Sequence, residues 1–388
     1  MKKPYVIWLP CWYPNQLNPF SGDFIQRHAE AVSREIGVHV VHLVRDSKLK
    51  SFSFEKREHK EHSYLEITGY YNAFNFATVV SKPVSFFMYC LWLFRLVKKI
   101  IGSNGKPNAI HIHVAGRNAL IGLVLARLYD IPLYYSEHAS NFLPEARFSF
   151  HRSKIKRLAW LYFANRCSKV SAVSSHLASN LILLGCKRPV EVIPNVVKNS
   201  IFFKGPNQRI PSQPYQLLHV SNMGYEKNLE GTLLALNNLS TEGIEWKLEI
   251  FGPTENLPKQ LIESLPGLKG RITVSGEKTQ FEIAEAMRRS DLLIAYSKLE
   301  TFGCVVAEAL ITGLPVLVSN YPSLLELVVD GQNGIVVQSE NTNELKAGLK
   351  RFFHNSALNQ LIVTVNPENK FSVETIGKKF IEFYGIRI

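Results

Sequence analysis

Residues 291–319, DLLIAYSKLETFGCVVAEALITGLPVLVS, constrain the fold more than any other stretch of the chain. Leu292 to Tyr296 is an uncharged apolar run, short enough for a buried strand and followed by a polar break. After the loop Ser297 to Phe302, Gly303 leads into Cys304 to Ile311, which reads as a short helix. Gly313 and Pro315 end it, because Gly tolerates the left-handed conformation past a helix end and Pro cannot continue one. Pro315 to Ser319 is a second apolar run, so the stretch is a strand-loop-helix-strand unit, the building block of a parallel sheet.

The joint between the first strand and the helix carries the chemistry. A helix N-terminus has unpaired amides and the positive end of a dipole, so Phe302, Gly303 and Cys304 can offer N–H donors to an anion. Glu300 precedes this point, and Glu308 lies about one turn into the helix. Two carboxylates beside an anion hole suit a ligand with hydroxyls around a phosphate, since carboxylates accept strongly from sugar OH groups. The bland alternative makes Glu300 a surface charge and Glu308 a solvated helix residue.

S-x-x-E-x-F-G followed by E-A-x-x-x-G-x-P-V, with seven residues between Glu300 and Glu308, resembles the E-x7-E signature of the retaining glycosyltransferase family 4. The resemblance spans nearly the whole chain and implies an α/β protein of GT-B fold: two Rossmann-like domains with parallel sheets facing across a cleft. It implies that Glu300 contacts the donor sugar, that Glu308 contacts the nucleotide ribose, and that the Phe302-Gly303 backbone lies against the diphosphate.

The rest of the chain repeats the α/β pattern. Tyr5 to Leu9 is a strand, Cys11 to Ser21 a Pro- and Asn-rich loop, Gly22 the start of a helix, and Val38 to Val44 a second strand. No G-x-G-x-x-G is present, so a nicotinamide cofactor is not indicated. Ser21-Gly22 partly matches the Gly pair that the family places beside its reaction centre. Ser51 to His62 is polar and charged, a loop or edge segment, and Tyr70 to Val80 is aromatic and uncharged. Phe86 to Val97 is a strongly apolar helix followed by two lysines, too short to span a bilayer and suited to the domain core or to a membrane interface. His111 and His113 share one strand face and could hold a metal, but no third ligand is evident nearby in the sequence. Glu137-His138 falls just past the strand Leu133 to Ser136, and S-E-H-x-S looks like the family loop whose histidine lies close to the transferred sugar. That role carries to His138. Pro194-Asn195 resembles the hinge at the end of the first domain.

Gly and Pro cluster in 199–214, which reads as a linker between a first domain, 1–198, and a second, 215–370. The second domain restarts with the strand Gln216 to Ser221 and a helix from about Leu229. The family loop between them supplies an arginine and, five residues on, a lysine to the diphosphate; here the lysine is Lys227 and the arginine position holds Asn222. Glu277-Lys278 corresponds to the loop beside the nucleotide base, Leu324 to Val328 is a short helix, and 371–388 carries a helix that by resemblance folds back onto the first domain.

Composition bounds the function. Residues 1–200 hold 27 Lys and Arg against 12 Asp and Glu, while 201–388 hold 18 against 20, so the first domain is expected to face something anionic. No recognition helix, zinc finger or aromatic RNA-binding motif accompanies that charge, so nucleic acid is not the expected partner. Five cysteines fit no disulfide or zinc spacing and read as reduced thiols of a cytoplasmic protein. Pro10 and Pro14 break the N-terminal apolar run, which reads as a first strand rather than a signal core. The five aspartates are isolated, so no D-x-D metal clamp exists and neutralisation of the diphosphate falls to Lys227 and the helix N-terminus.

The reading is therefore a retaining, metal-independent glycosyltransferase that needs no cofactor beyond its nucleotide-sugar substrate. Its acceptor is a glycan or a lipid-linked glycan in surface polysaccharide assembly, with peripheral membrane contact through the basic half. A sugar-nucleotide epimerase of the same fold and an inactive binding protein, suggested by Asn222, are the alternatives.

Overall fold

The computed structural model describes residues 3–49, 52–59, 63–72, 78–205, 213–240, 242–354 and 370–387. The chain forms two α/β units: Met1–Val196 joined by Val373–Ile388, and Val197–Ser372.

The first unit is built on eight strands: β1 (Tyr5–Pro10), β2 (Gly37–Arg45), β3 (Ser53–His59), β4 (Tyr64–Tyr71), β5 (Ala109–His113), β6 (Leu133–Glu137), β7 (Lys169–Ala172) and β8 (Val190–Val192). Their order is β3-β4-β2-β1-β5-β6-β7-β8, and every pairing is parallel except the antiparallel β3 on β4. Central strands covered on both faces must be apolar throughout, and Val6, Ile7, Trp8 and Leu9 of β1 have no exposed surface. β3 is the edge segment of 51–62, where the charged run S-F-E-K-R-E-H keeps an unpaired strand edge soluble; residues 51 and 60–62 lie outside the described residues.

The helices of this unit are α1 (Asp23–Ser33), α2 (Thr78–Asn104), α3 (Arg117–Leu128), α4 (Lys154–Ala164), α5 (Ser175–Leu183) and the C-terminal helix Val373–Tyr384, which packs on α1. Parallel connections are right-handed. The connections from β5 through β8 all step in one direction across the sheet, so α3, α4 and α5 share one face, and α1, whose connection steps the other way, takes the opposite face.

Around Phe86 to Val97 the helix is far longer than the apolar run suggests, 27 residues with Pro83 inside it. Charges at Lys82, Arg95, Lys98 and Lys99 interrupt it, and among the described residues no helix is long and apolar enough to cross a membrane. Its interior residues are spent on the core: Tyr89, Leu93, Val97 and Ile100 are buried, and Trp92 stacks on Phe52 with ring centroids 3.8 Å apart.

The second unit contains β9 (Tyr215–Val220), β10 (Trp246–Phe251), β11 (Ile272–Val274), β12 (Leu292–Ala295), β13 (Val316–Ser319) and β14 (Gly334–Val337), all parallel, in the order β11-β10-β9-β12-β13-β14. Its first helices are α6 (Leu229–Leu239), α7 (Lys259–Ser264), α8 (Gln280–Arg289) and α9 (Cys304–Thr312), of which α6, α8 and α9 matter for the site. Leu292, Leu293 and Ile294 of β12 are at most 1% exposed, and each side chain so buried stabilises the unit by about 1.5–3 kcal/mol. The short helix expected at 324–328 forms earlier, at Pro322–Leu325, because Pro322 supplies a preset first-turn φ.

Strand order reverses at one place in each sheet, between β1 and β5 and between β9 and β12. Loops leaving the carboxyl ends of strands at such a reversal diverge and open a crevice, where open α/β sheets bind ligands.

Candidate active site

At the reversal in the second unit, the loop after β9 meets the loop after β12. Tyr225–Lys227 forms a 3-10 turn, and the backbone N–H of Lys298 donates to Glu226 O at 2.8 Å, clipping the two loops together. Lys227 Nζ then reaches Glu300 Oε2 at 2.5 Å, with the two side chains 28% and 13% exposed. Burial disfavours the ammonium, but Glu300 beside it, with smaller contributions from Cys304 and Glu226, holds its pKa above the ordinary value, so Lys227 is cationic at neutral pH. Glu300 is further fixed by its own loop and by the helix Pro322–Leu325: its Oε1 accepts from Thr301 N at 3.0 Å, and its carbonyl accepts from Ser323 Oγ at 2.8 Å.

Gly303 caps α9 in the left-handed conformation, φ 93°, with no side chain over the first turn. A Cβ there would lie 2.8 Å from Leu324 Cδ2, so space as well as φ favours Gly. The opening amides of α9, which have no acceptors inside the helix, thus sit beside a lysine. Phe302 is buried at 4% exposure, its ring edge-on to Phe371, which holds the backbone rather than the side chain at the site. Glu308 is only 2% exposed. A solvated helix charge, the bland alternative, does not describe it.

Three residues singled out in the sequence stand differently. Asn222 is exposed; its Oδ1 accepts from Gly224 N at 3.0 Å and its carbonyl from Asn256 Nδ2 at 3.0 Å, so it shapes its own turn. Lys278 pairs with Glu282 of α8 at 3.0 Å, and Glu277 is exposed beside it. Nothing in the structure draws either of this last pair to Lys227.

In the first unit the reversal gathers histidines. His138, 6% exposed just past β6, has its Nε2 3.5 Å from His113 Nδ1, and its backbone N–H donates to Glu137 Oε1 at 2.8 Å. Phe24 and His28 of α1 flank it, at centroid distances of 5.0 and 5.6 Å. Ring nitrogens of His28, His113 and His138 lie within 4.8 Å of one another, the one place among the described residues where three such groups cluster. Burial is the main reason all three imidazoles are held neutral, His28 at a pKa of about 4 and the other two well below the usual value. Burial also raises Glu137 to about 7, against the hydrogen bonds from Tyr135 and the His138 and Ala139 amides that favour its anion.

The matches to known proteins follow this division. A family model described as Glycosyltransferase Family 4 matches residues 21–200, and one described as Glycosyl transferases group 1 matches residues 201–364. The chain is a family 4 glycosyltransferase with the GT-B fold. It is 25% identical over 289 residues to an uncharacterized glycosyltransferase of Methanocaldococcus jannaschii, covering 74% of this chain and 77% of that one. Among solved structures, the sucrose-phosphate synthase of Thermosynechococcus elongatus superposes with a TM-score of 0.78 at 16% identity, covering 99% of this chain and 98% of the other. HepE of Anabaena, solved in complex with UDP and glucose, gives 0.73 at 18% identity, covering 98% and 99%.

Sequence reasoning on this glycosyltransferase missed His28 and did not join His113 to His138. The available signal was His28 within the helical spacing of α1, next to an H-x-H strand end, but neither says which strand ends are neighbours. Gly22, by contrast, has a folding reason independent of any ligand. It starts α1 at φ 65°, and a Cβ there would sit 2.6 Å from both the carbonyl carbon and oxygen of Trp12. That loop cannot retreat easily, because Tyr13 OH donates to Glu66 Oε1 at 2.6 Å and Gln26 of α1 donates to the same oxygen at 2.8 Å. Gly22→Ala in this glycosyltransferase is expected to cost at least about 2 kcal/mol, read as a lower urea midpoint at unchanged slope. A wild-type midpoint would show that the loop yields.

Proposed function

We propose that the enzyme transfers a sugar from a nucleotide-diphosphate sugar to a hydroxyl of a glycan or lipid-linked acceptor, with retention of configuration and without a metal ion, in surface polysaccharide assembly. The observation that carries this reading is the convergence of Lys227, Glu300 and the uncapped start of α9 where the strand order of the second unit reverses. A diphosphate over that helix end would receive backbone N–H groups and the Lys227 ammonium, which together stabilise charge developing on the leaving group. Glu300, freed from part of its contact with Lys227, would accept from hydroxyls of the transferred sugar, and Glu308 from the ribose. The leaving phosphate would take the proton of the acceptor hydroxyl as the new glycosidic bond forms. In the first unit His138 would contact the transferred sugar, held by His113 and by Asn195, which hydrogen-bonds it. That HepE was solved with UDP and glucose supports a nucleotide-sugar donor. A lipid-linked acceptor would bring the basic first unit to a membrane surface.

Thermal stabilisation across UDP, GDP, ADP and their sugars tests the donor site. A nucleotide at a hundred times its Kd should add about 2.7 kcal/mol. Glu308→Ala should lose most of that stabilisation, whereas Glu300→Ala should keep nucleotide binding and lower turnover at least tenfold. Turnover should survive EDTA. Wild-type turnover in both variants would refute the residue assignment, and no stabilisation by any nucleotide would favour an inactive binding protein.

A further inference from the structure

The helices α3 and α4 each have two apolar faces. The inner faces do what such helices normally do: Ile121, Leu125 and Ala126 of α3 and Trp160, Phe163 and Ala164 of α4 are buried. The outer faces are apolar too. Leu120, Val124 and Leu128 follow one another at i, i+4 and i+8 along α3 and are 51%, 47% and 60% exposed. Ile155, Leu158 and Tyr162 stand at i, i+3 and i+7 along α4 and are 83%, 63% and 59% exposed. Each set forms one stripe on its helix. Both helices lie on the same face of the sheet and pack against each other, so the two stripes run on adjoining helices. Single exposed apolar residues need no explanation, but six in two regular stripes do.

Charge selects what covers them. Residues 117–128 and 146–166 contain eight Lys and Arg and no Asp or Glu. Arg127, Arg152, Lys154 and Lys156 are exposed on or just before the same two helices, and so are Arg147 and Phe148 in the segment leading to α4. A two-fold dimer through this face would set these cations against their own copies, because such an interface is self-complementary. Nucleic acid would account for the cations but not for rows of leucine and isoleucine between them. Apolar side chains rimmed by Lys and Arg match the boundary between acyl chains and anionic headgroups.

We propose that the first unit docks on an anionic membrane surface through the outer faces of α3 and α4. This builds on the reading above in one respect, that a lipid-linked acceptor would lie at such a surface. It also relocates the contact: in α2, Tyr89, Leu93, Val97 and Ile100 are buried, Phe86, Met88, Leu91, Trp92, Phe94 and Leu96 are half-buried, and Phe87 is the one exposed large apolar side chain among those described.

Vesicle co-sedimentation tests the docking with no acceptor and no turnover. The wild-type protein should bind phosphatidylcholine vesicles containing about 30% phosphatidylglycerol, bind pure phosphatidylcholine at least tenfold more weakly, and be released by 0.5 M salt. Ile155→Glu/Leu158→Glu, at sites too exposed to affect folding, should lower binding at least tenfold while leaving the melting temperature and its shift with nucleotide unchanged. Phe87→Glu should bind as wild type. The proposal falls if the wild-type protein ignores anionic vesicles or if the double variant binds like wild type. It also falls if Phe87→Glu alone abolishes binding, or if the wild type is a dimer that the double variant converts to monomer. Because nucleotide-induced stabilisation is read on the same samples, failure of the docking and failure of the glycosyltransfer reading give different results.

Discussion

Lys227→Met should lower kcat by about 10²–10³ with a much smaller change in KM, the size of effect seen when one fixed donor to a developing anion is removed. Methionine keeps the length and the apolar stem of lysine and deletes only the charge. In the resting protein that charge is balanced by Glu300 at 2.5 Å, and Glu300 is itself held by Thr301 N and Ser323 Oγ. The variant therefore leaves a largely buried carboxylate without its cation beside the start of α9. Ground-state binding of the diphosphate retains the helix amides, so the loss concentrates on the step in which negative charge grows on the leaving group. Lys227→Arg restores the charge but not the compact geometry, and should recover part of the rate. Single-turnover and steady-state kinetics together decide the matter, and a kcat within threefold of wild type for the methionine variant would remove Lys227 from the proposed mechanism.

Acid should unfold the first unit well before the second. His28 and His42 are pushed down to about 4, mainly by burial, and burial likewise holds His111, His113 and His138 well below their usual value. In the unfolded chain these imidazoles take up protons below about pH 6.5, while in the folded unit they stay neutral. The unfolded state therefore binds more protons between pH 6.5 and 4, and stability falls as the pH falls. For His28 and His42 the cost is about 3 kcal/mol each at the low end. Glu137 works in the other direction. Its folded pKa of about 7 exceeds the ordinary 4.5, so its contribution, again about 3 kcal/mol, is present at low pH and lost as the pH rises from 4.5 to 7. The several histidines outweigh the single carboxyl, so the net result on acidification is loss. The second unit has one comparable group among its described residues, His219 at about 4. Hydrogen exchange at pH 7.5 and at pH 5 should show protection lost first in β1, β5 and β6 and retained in β9 and β12. Equal protection of both sheets at pH 5 would contradict the assignment of these histidines as neutral.

The histidine cluster also marks where sequence reading ended. His28, His113 and His138 come from α1, β5 and the loop after β6, and nothing local to any of them records the others. Strand order does, since it sets the carboxyl ends of β1, β5 and β6 side by side. The stripes on α3 and α4 show a second limit. Leu120, Val124 and Leu128 have the same helical spacing as a core seam, and a periodic pattern cannot state which face of a helix the sheet will cover. In α2 the apolar run suited the core and a membrane interface equally, and the fold divides its aromatic side chains: Tyr89 is buried, Phe86, Trp92 and Phe94 are half-buried with Trp92 stacked on Phe52, and Phe87 is exposed. β3, whose seven residues carry five charged or titratable side chains, is a strand only because β4 offers it an antiparallel edge.

By contrast, the strand, loop, glycine and helix of 291–319 were legible residue by residue. Apolar runs, the glycine at a left-handed cap and the proline after a helix act through their own backbone and immediate neighbours, so the sequence by itself determined this unit and the two-domain α/β plan built from its repetition. The tertiary structure alone decided that Lys227 meets Glu300, that Glu308 is buried, that four histidines come close to one another around β5, and that two helices turn apolar rows outward. Each of these depends on which strands become neighbours, and that is a property of the whole sheet, set by the burial of both its faces rather than by any one segment.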